Sequence, residues 1–150
     1  MVDRLNDARE KQARLRRFMT EYGYGAVVVS RRDNFAWITA GGDASVVLSD
    51  PLAFASLLFT HDAQYLIAGS QDCARIADEE VEGQGYQAVS YAWHNGSRLA
   101  ELQRRTRGLR VAADTDLPGT ADISQEMQRL HDPLTPLDIA RYRQIGAECD

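Results

Sequence analysis

The sequence predicts an α/β domain: a mixed sheet covered by helices. Short apolar runs rich in β-branched residues, such as AVVVS at 26–30, read as buried strands. Two such runs, 54–60 and 65–68, are joined across residues 61–64 as a hairpin, so the sheet is not purely parallel. From residue 70 onward, helical and strand-like segments alternate, which supplies the sheet with helical cover.

Each element follows from local pattern. Leu5, Ala8, Leu15, Phe18, Met19 and Tyr22 share one helical face, with Arg4, Arg9, Lys11 and Arg16 placed off it. Gly23 and Gly25 break that helix and open the first strand. Residues 31–39 make a short helical turn that leads into the flexible Gly41–Gly42 pair, and residues 45–48 read as a second strand. After the hairpin, Ser70 is placed as the cap of a helix whose inner face is Cys73, Ile76, Ala77 and Val81. A strand at 87–92, a helix marked by Leu99, Leu102, Thr106 and Leu109, and a strand at 110–113 follow. Asp122 with Gln125 suggests a capping box, and Ile123, Met127 and Leu130 give that helix its apolar side.

The last helix carries a full set of start signals. Thr135 is placed as N-cap, Pro136 as first helical residue and Asp138 as the partner in a capping box, with Leu134 and Ile139 at staple positions. No Gly, Asn or Pro stops it directly, and Ile139, Tyr142, Ile145 and Cys149 leave an unpartnered apolar edge. The expectation is a connector to a further domain.

Composition narrows the function classes. A length of 150 residues with 44% hydrophobic content is enough for one domain with a core of ordinary size. A net charge of −5 argues against a general nucleic-acid or membrane-surface binder. Lys11 is the one lysine among 17 basic residues, a bias read as coding composition before phosphate recognition. Cys73 and Cys149 lack CxxC spacing, and the N-terminus has no apolar signal segment, which together suggest a reducing, cytoplasmic setting.

The search for chemistry is mostly negative. His61, His94 and His131 fall at three different element ends, without the HExxH spacing that puts two ligands on one face. Asp114 and Asp116 have the look of a two-carboxylate metal site, but a strand-end Asp that organises a turn is the commoner explanation. Residues 78–80, Asp-Glu-Glu, read as a solvated face. Arg98, Arg104, Arg105, Arg107 and Arg110 read as a paired, solvated surface rather than an anion site. GxSxG, GxGxxG and GxxxxGK[ST] are absent, and Cys73 sits on an apolar face as core. No catalytic residue and no metal ligand is assigned.

Two segments carry a resemblance. ARLRRFMTEYGYGAVVVSRRDNFAWITAGG resembles the opening of the N-terminal domain of the creatinase/prolidase/aminopeptidase P family of "pita-bread" enzymes. That opening is a helix ending in Gly, an apolar strand, an Asn-containing turn and an aromatic–x–Leu/Ile–Thr/Ser–small–Gly segment. Here the matching residues are Asn34, Trp37, Ile38, Thr39 and Gly41. LTPLDIARYRQIGAECD is similar to the family's Thr-Pro-x-Glu/Asp-Ile approach to its catalytic domain.

The resemblance implies a three-layer α/β/α, ribonuclease H-like domain over residues 1–133, with residues 134–150 starting a linker helix into a catalytic domain. It places the chemistry in that following domain. There two Asp, one His and two Glu would hold two manganese, cobalt or zinc ions that activate water against an Xaa-Pro bond. For this chain it implies a non-catalytic part in a homodimer, with its own catalytic domain as partner and a peptide as substrate of the whole. The segment that would narrow the substrate entrance is Gly41, Gly42, Asp43, Ala44 and Ser45, next to Trp37. Asp43 would meet a peptide's free amino terminus. A creatinase-like amidinohydrolase and a free-standing binding or regulatory module remain open alternatives. A nuclease is disfavoured, because the first strand carries no carboxylate and the chain is acidic.

Overall fold

A computed structural model describes residues 2–149. Helix α1 (Val2–Tyr22) runs without Gly or Pro and stops at Gly23, whose φ of 73° is left-handed. The Tyr24 amide then donates to the Met19 carbonyl at 2.9 Å, closing a Schellman-type cap. Strand β1 (Ala26–Arg31) leads directly into α2 (Arg32–Ile38). Strands β2 (Leu52–Thr60) and β3 (Gln64–Gly69) form the expected hairpin. Helix α3 (Cys73–Arg75) widens into a π-helical turn (Ile76–Glu80), and β4 (Gln87–Tyr91) follows. Helix α4 (Arg98–Thr106), strands β5 (Val111–Ala113) and β6 (Ala121–Asp122), and helices α5 (Ser124–His131) and α6 (Pro136–Glu148) complete the order.

The sheet has six strands in the order β4-β3-β2-β1-β5-β6. Only β2 runs against the others, so the sheet is mixed as expected. Alternate strand residues separate two apolar layers. Val27, Val29, Leu57, Phe59, Leu66 and Ala112 pack with Leu15, Met19, Phe35, Ile76 and Met127 of the helices on one face. Ala26, Val28, Leu58, Ile67 and Ala113 pack with Leu102 of α4 on the other. This is the three-layer α/β/α arrangement. Because β1 and β5 end on the same edge as β2 begins, the β1–α2 junction, the loop before β2 and Asp114 meet there.

Several local expectations fail, each for a physical reason. Residues 45–48 form no strand: the chain here meets β2 through the Phe54 amide, which donates to the Ala44 carbonyl at 2.8 Å, and then turns away without a ladder. Val46, Val47 and Leu48 stay exposed, and Arg32 holds the Leu48 and Asp50 carbonyls. Ser70 does not cap α3; Asp72 takes that position without a side-chain bond, while the Ser70 amide donates to Tyr91. Asp122 and Gln125 make no capping box: Ile123 is the N-cap, and Asp122 instead accepts from the Ser124 amide and hydroxyl. Leu109 falls beyond α4 and is exposed. Lys11, placed off the apolar face of α1, is 1% exposed and fully inside.

The expected capping box and N-terminal proline of α6 are present. The Thr135 side chain accepts from the Asp138 amide, and the Asp138 carboxylate accepts from the Thr135 amide, both at 3.1 Å. No residue of α6 is buried, and Ile139, Tyr142, Ile145 and Cys149 are all exposed. Leu134, at the other staple position, is also half exposed.

Candidate functional site

The junction between β1 and α2 sets the site. The pairing of β1 with β2 shifts register between Val29 and Arg31, which leaves the β1 amides there without their ladder partners. Asp114, at the end of β5 and 3% exposed, captures them. Its Oδ1 accepts from the Ser30 amide at 2.8 Å, and its Oδ2 accepts from the Arg31 amide at 3.0 Å and from Asn34 Nδ2 at 2.9 Å. Burial pushes its carboxyl above the usual range, against the pull of these three donors. Asp116 is exposed, so the DTD pair is a structural anchor with one surface neighbour rather than a joint site. Among the described residues, no group of three or more His, Cys, Asp or Glu side chains is gathered to hold a metal.

Beyond α2 the chain turns sharply through the residues singled out in the sequence. Ala40 has a φ of 55°, left-handed for a residue with a Cβ. Its carbonyl accepts from Arg4 Nε at 3.2 Å and from Arg141 Nη2 at 3.0 Å. The Gly41 amide donates to Ala36 at 2.7 Å, the Gly42 amide to Thr39 Oγ1 at 2.9 Å, and the Asp43 amide to Glu80 Oε2 at 2.8 Å. A Cβ on Gly42 would stand 2.5 Å from Thr39 Oγ1 and 3.1 Å from the Glu80 carbonyl, so only glycine fits. The Gly41–Gly42 pair is therefore pinned, and the close approach it permits is to other parts of the same chain.

Asp43 is exposed and accepts from the Ser45 hydroxyl and amide, which together hold its carboxyl below the usual carboxylate range. With Gly41 and Gly42 it lines a cleft of about 450 Å³ whose other wall includes Arg31, Arg32 and Asp33. Both signs of charge thus face one cleft at the end of β1. Trp37 does not line it. It points to the opposite side of α2, stacked on His131 with centroids 4.5 Å apart, and Lys11 Nζ lies 5.8 Å from its ring centroid. Trp37 Nε1 and His131 Nε2 are buried without partners. Burial also pushes the His131 imidazole below its usual value.

The residues missed in the sequence are those that reach the segment from afar. Arg4, Glu80 and Arg141 lie in three other helices, and no local spacing marks them. Lys11 did carry a signal, as the one lysine in an arginine-rich chain. Its Nζ sits 2.8 Å from both Asp7 Oδ2 and Asp138 Oδ1. Of the arginines read as a paired, solvated surface, Arg104 and Arg105 do pair with Glu101, whereas Arg98 is half-buried on the Ala53 carbonyl and Arg110 donates to the Tyr22 carbonyl over the Tyr24 ring.

This fold is that of the creatinase/prolidase N-terminal domain, as comparison with solved structures shows. The prolidase of Pyrococcus horikoshii OT3 superposes with a TM-score of 0.60 at 14% identity, over 87% of this chain and 37% of that one. The N-terminal domain of an Xaa-Pro dipeptidase from Lactobacillus brevis gives 0.57 at 13% identity, over 79% of this chain and 98% of that domain. The Xaa-Pro dipeptidase of Bacillus anthracis gives 0.54 at 16% identity, over 87% and 34% respectively. The chain thus spans about a third of the length of these larger peptidases. No family model and no curated protein matches the sequence. No helix among the described residues is long and apolar enough to cross a membrane.

Proposed function

We propose that this chain is the non-catalytic N-terminal domain of an Xaa-Pro peptidase-like metallohydrolase, serving oligomerisation and narrowing the substrate entrance. The observation that carries the reading is the fold match to domains of larger Xaa-Pro peptidases, joined to a helix α6 whose apolar edge is exposed. Residues 1–133 form the domain in this reading, and residues 134–150 begin the connection to a catalytic domain that would hold manganese, cobalt or zinc. The entrance is assigned to Gly41, Gly42, Asp43 and Ser45, with Trp37 supporting the segment from behind. Asp43 suits the ammonium of a peptide's amino terminus. It is exposed, and its Oδ1 already holds Ser45, so the carboxylate is fixed in place and ready to accept a further donor.

Three measurements test the proposal. The purified 150-residue chain, supplied with Mn²⁺, Co²⁺ or Zn²⁺, is expected not to hydrolyse an Xaa-Pro dipeptide. The native protein in its source cell is expected to weigh at least twice as much as this chain, to sediment as a dimer and to cleave that bond. In it, Asp43→Asn should raise KM about three- to tenfold, the loss of one charge-assisted hydrogen bond, with kcat little changed. A native mass equal to this chain's, or turnover by the chain alone, refutes the reading.

A further inference from the structure

We infer that helix α6 positions the segment Gly41–Ser45, through the Arg141 guanidinium laid across Gly41 and bonded to the Ala40 carbonyl. The inference rests on the entrance reading only for what a movement of the segment would do; the coupling itself stands on the geometry.

Ala40 is the turning point. A left-handed conformation costs a residue with a Cβ about 1–2 kcal/mol and persists only where its surroundings impose it. Here the imposition comes from two guanidinium groups on one carbonyl, Arg4 from α1 and Arg141 from α6. Arg141 does more than bond. A Cβ on Gly41 would stand 3.3 Å from its Nη1, 3.4 Å from its Nη2 and 3.6 Å from its Cζ. These near-equal distances lay the guanidinium flat on the face of Gly41 where a side chain would be. The glycine and the arginine are thus complementary parts of one contact, 100 residues apart in sequence.

A second contact of α6 reaches the same region from behind. Asp138 lies three residues before Arg141, on the same helical face, and pairs with Lys11, whose ammonium lies over the Trp37 ring in α2. Gly41 is therefore in direct contact with α6, and Trp37 is linked to it through Lys11.

The seat of α6 is polar. With no buried residue, the helix is held to the domain in its first two turns by the Lys11–Asp138 pair and the Arg141–Ala40 bond. A helix fastened by polar points can shift when its apolar edge is covered, without repacking the sheet core. Any such shift arrives at Ala40 through Arg141. The segment has no slack to absorb it, since the amides of Gly41, Gly42 and Asp43 are each tied to α2 or to the π-helical turn.

Residue-resolved amide hydrogen exchange on the 150-residue chain tests the coupling, with Arg141→Met, Arg141→Lys and Tyr142→Ala compared with wild type. Arg141→Met is expected to speed exchange of the Gly41, Gly42 and Asp43 amides about tenfold while the amides of β1 and β2 keep their protection. Arg141→Lys should restore part of it, because an ammonium still donates to the Ala40 carbonyl but does not cover Gly41. Tyr142→Ala, on an exposed face of the same helix, should change nothing in the segment. An Arg141→Met profile like wild type, or one raised uniformly through β1 and β2, overturns the inference. Failure of the entrance reading would show differently: normal coupling here, with Asp43→Asn leaving KM unchanged in the native enzyme.

Discussion

Replacing Asp114 is the sharpest test of how the sheet edge is held. Asp114→Ala strands the amides of Ser30 and Arg31 and the side-chain amide of Asn34. Each buried donor left without a partner costs about 1–3 kcal/mol, so three set a range of about 3–9 kcal/mol. Arg31 is partly exposed, and water can reach its amide, which leaves two stranded donors and an expected loss of about 2–6 kcal/mol. Against a total stability of about 5–15 kcal/mol, that is a large share. Asp114→Asn should be much milder. Asn34 Oδ1 has no partner in the native fold, so its amide can rotate to accept from the new side chain, exchanging an orphaned acceptor for an orphaned donor, and the Arg31 amide is the one further donor that loses its partner. The expected cost is about 1–2 kcal/mol.

Urea denaturation reads the difference directly. With a slope of about 2 kcal/mol per molar, Asp114→Ala should lower the midpoint by about 1–3 M and Asp114→Asn by about 0.5–1 M. The pH dependence has a definite sign. Burial raises the folded-state value of Asp114 above its ordinary 3.8, so the native chain binds the proton more tightly than the unfolded one. That contribution is full below 3.8 and is lost as pH rises through the folded value. The advantage of wild type over Asp114→Asn should therefore be largest in acid and shrink toward neutrality. Equal costs for the Ala and Asn variants, or an advantage that grows with pH, would refute the reasoning.

Two further perturbations probe the charges behind α2. Lys11→Met leaves Asp7, whose side chain is 3% exposed, buried beside no cation, and should cost about 3–5 kcal/mol by denaturant midpoint. Adding Asp7→Asn to it should recover part of the loss, and a Lys11→Met midpoint within about 0.5 kcal/mol of wild type would show that the network carries little. His131 titrates the other way from Asp114: burial lowers its folded-state value below 6.5, so its cost is absent above 6.5 and grows as pH falls through the folded value. Melting curves between about pH 5 and 8 should show wild type losing stability toward acid. His131→Phe, which keeps the stack on Trp37, should lose less, and parallel curves for the two would count against the assignment.

What was legible in the sequence divides by the range of the physics involved. The run Ala26–Ser30, the 54–60 and 65–68 hairpin and the Thr135–Asp138 capping box were readable because burial period and backbone capping act within a few residues. The false strand at 45–48 shows the limit of that logic. Val46 and Val47 have strand propensity, but a strand needs a partner along its length, and here the chain leaves β2 after the bond from the Phe54 amide to the Ala44 carbonyl. The motif around Gly41 was visible, yet its meaning was not. Only the fold shows that Arg141 occupies the space a side chain would take at Gly41, that Thr39 and the Glu80 carbonyl do the same at Gly42, and that Glu80 accepts from the Asp43 amide.

Lys11 makes the same point through charge. Helical spacing put it off the apolar face of α1, because spacing assigns a cation to water by default. Its position is instead set by Asp7 one turn earlier and by Asp138, 127 residues later in the chain. A compact ammonium with three freely directed donors suits two carboxylates at 2.8 Å, where the broad planar fork of an arginine would need more room. The chain uses arginine at every other Lys/Arg position, and departs from that habit at Lys11, a cation enclosed between α1, α2 and α6. The composition that read as coding bias on the surface thus also marks, by its single exception, the junction on which the seat of α6 depends.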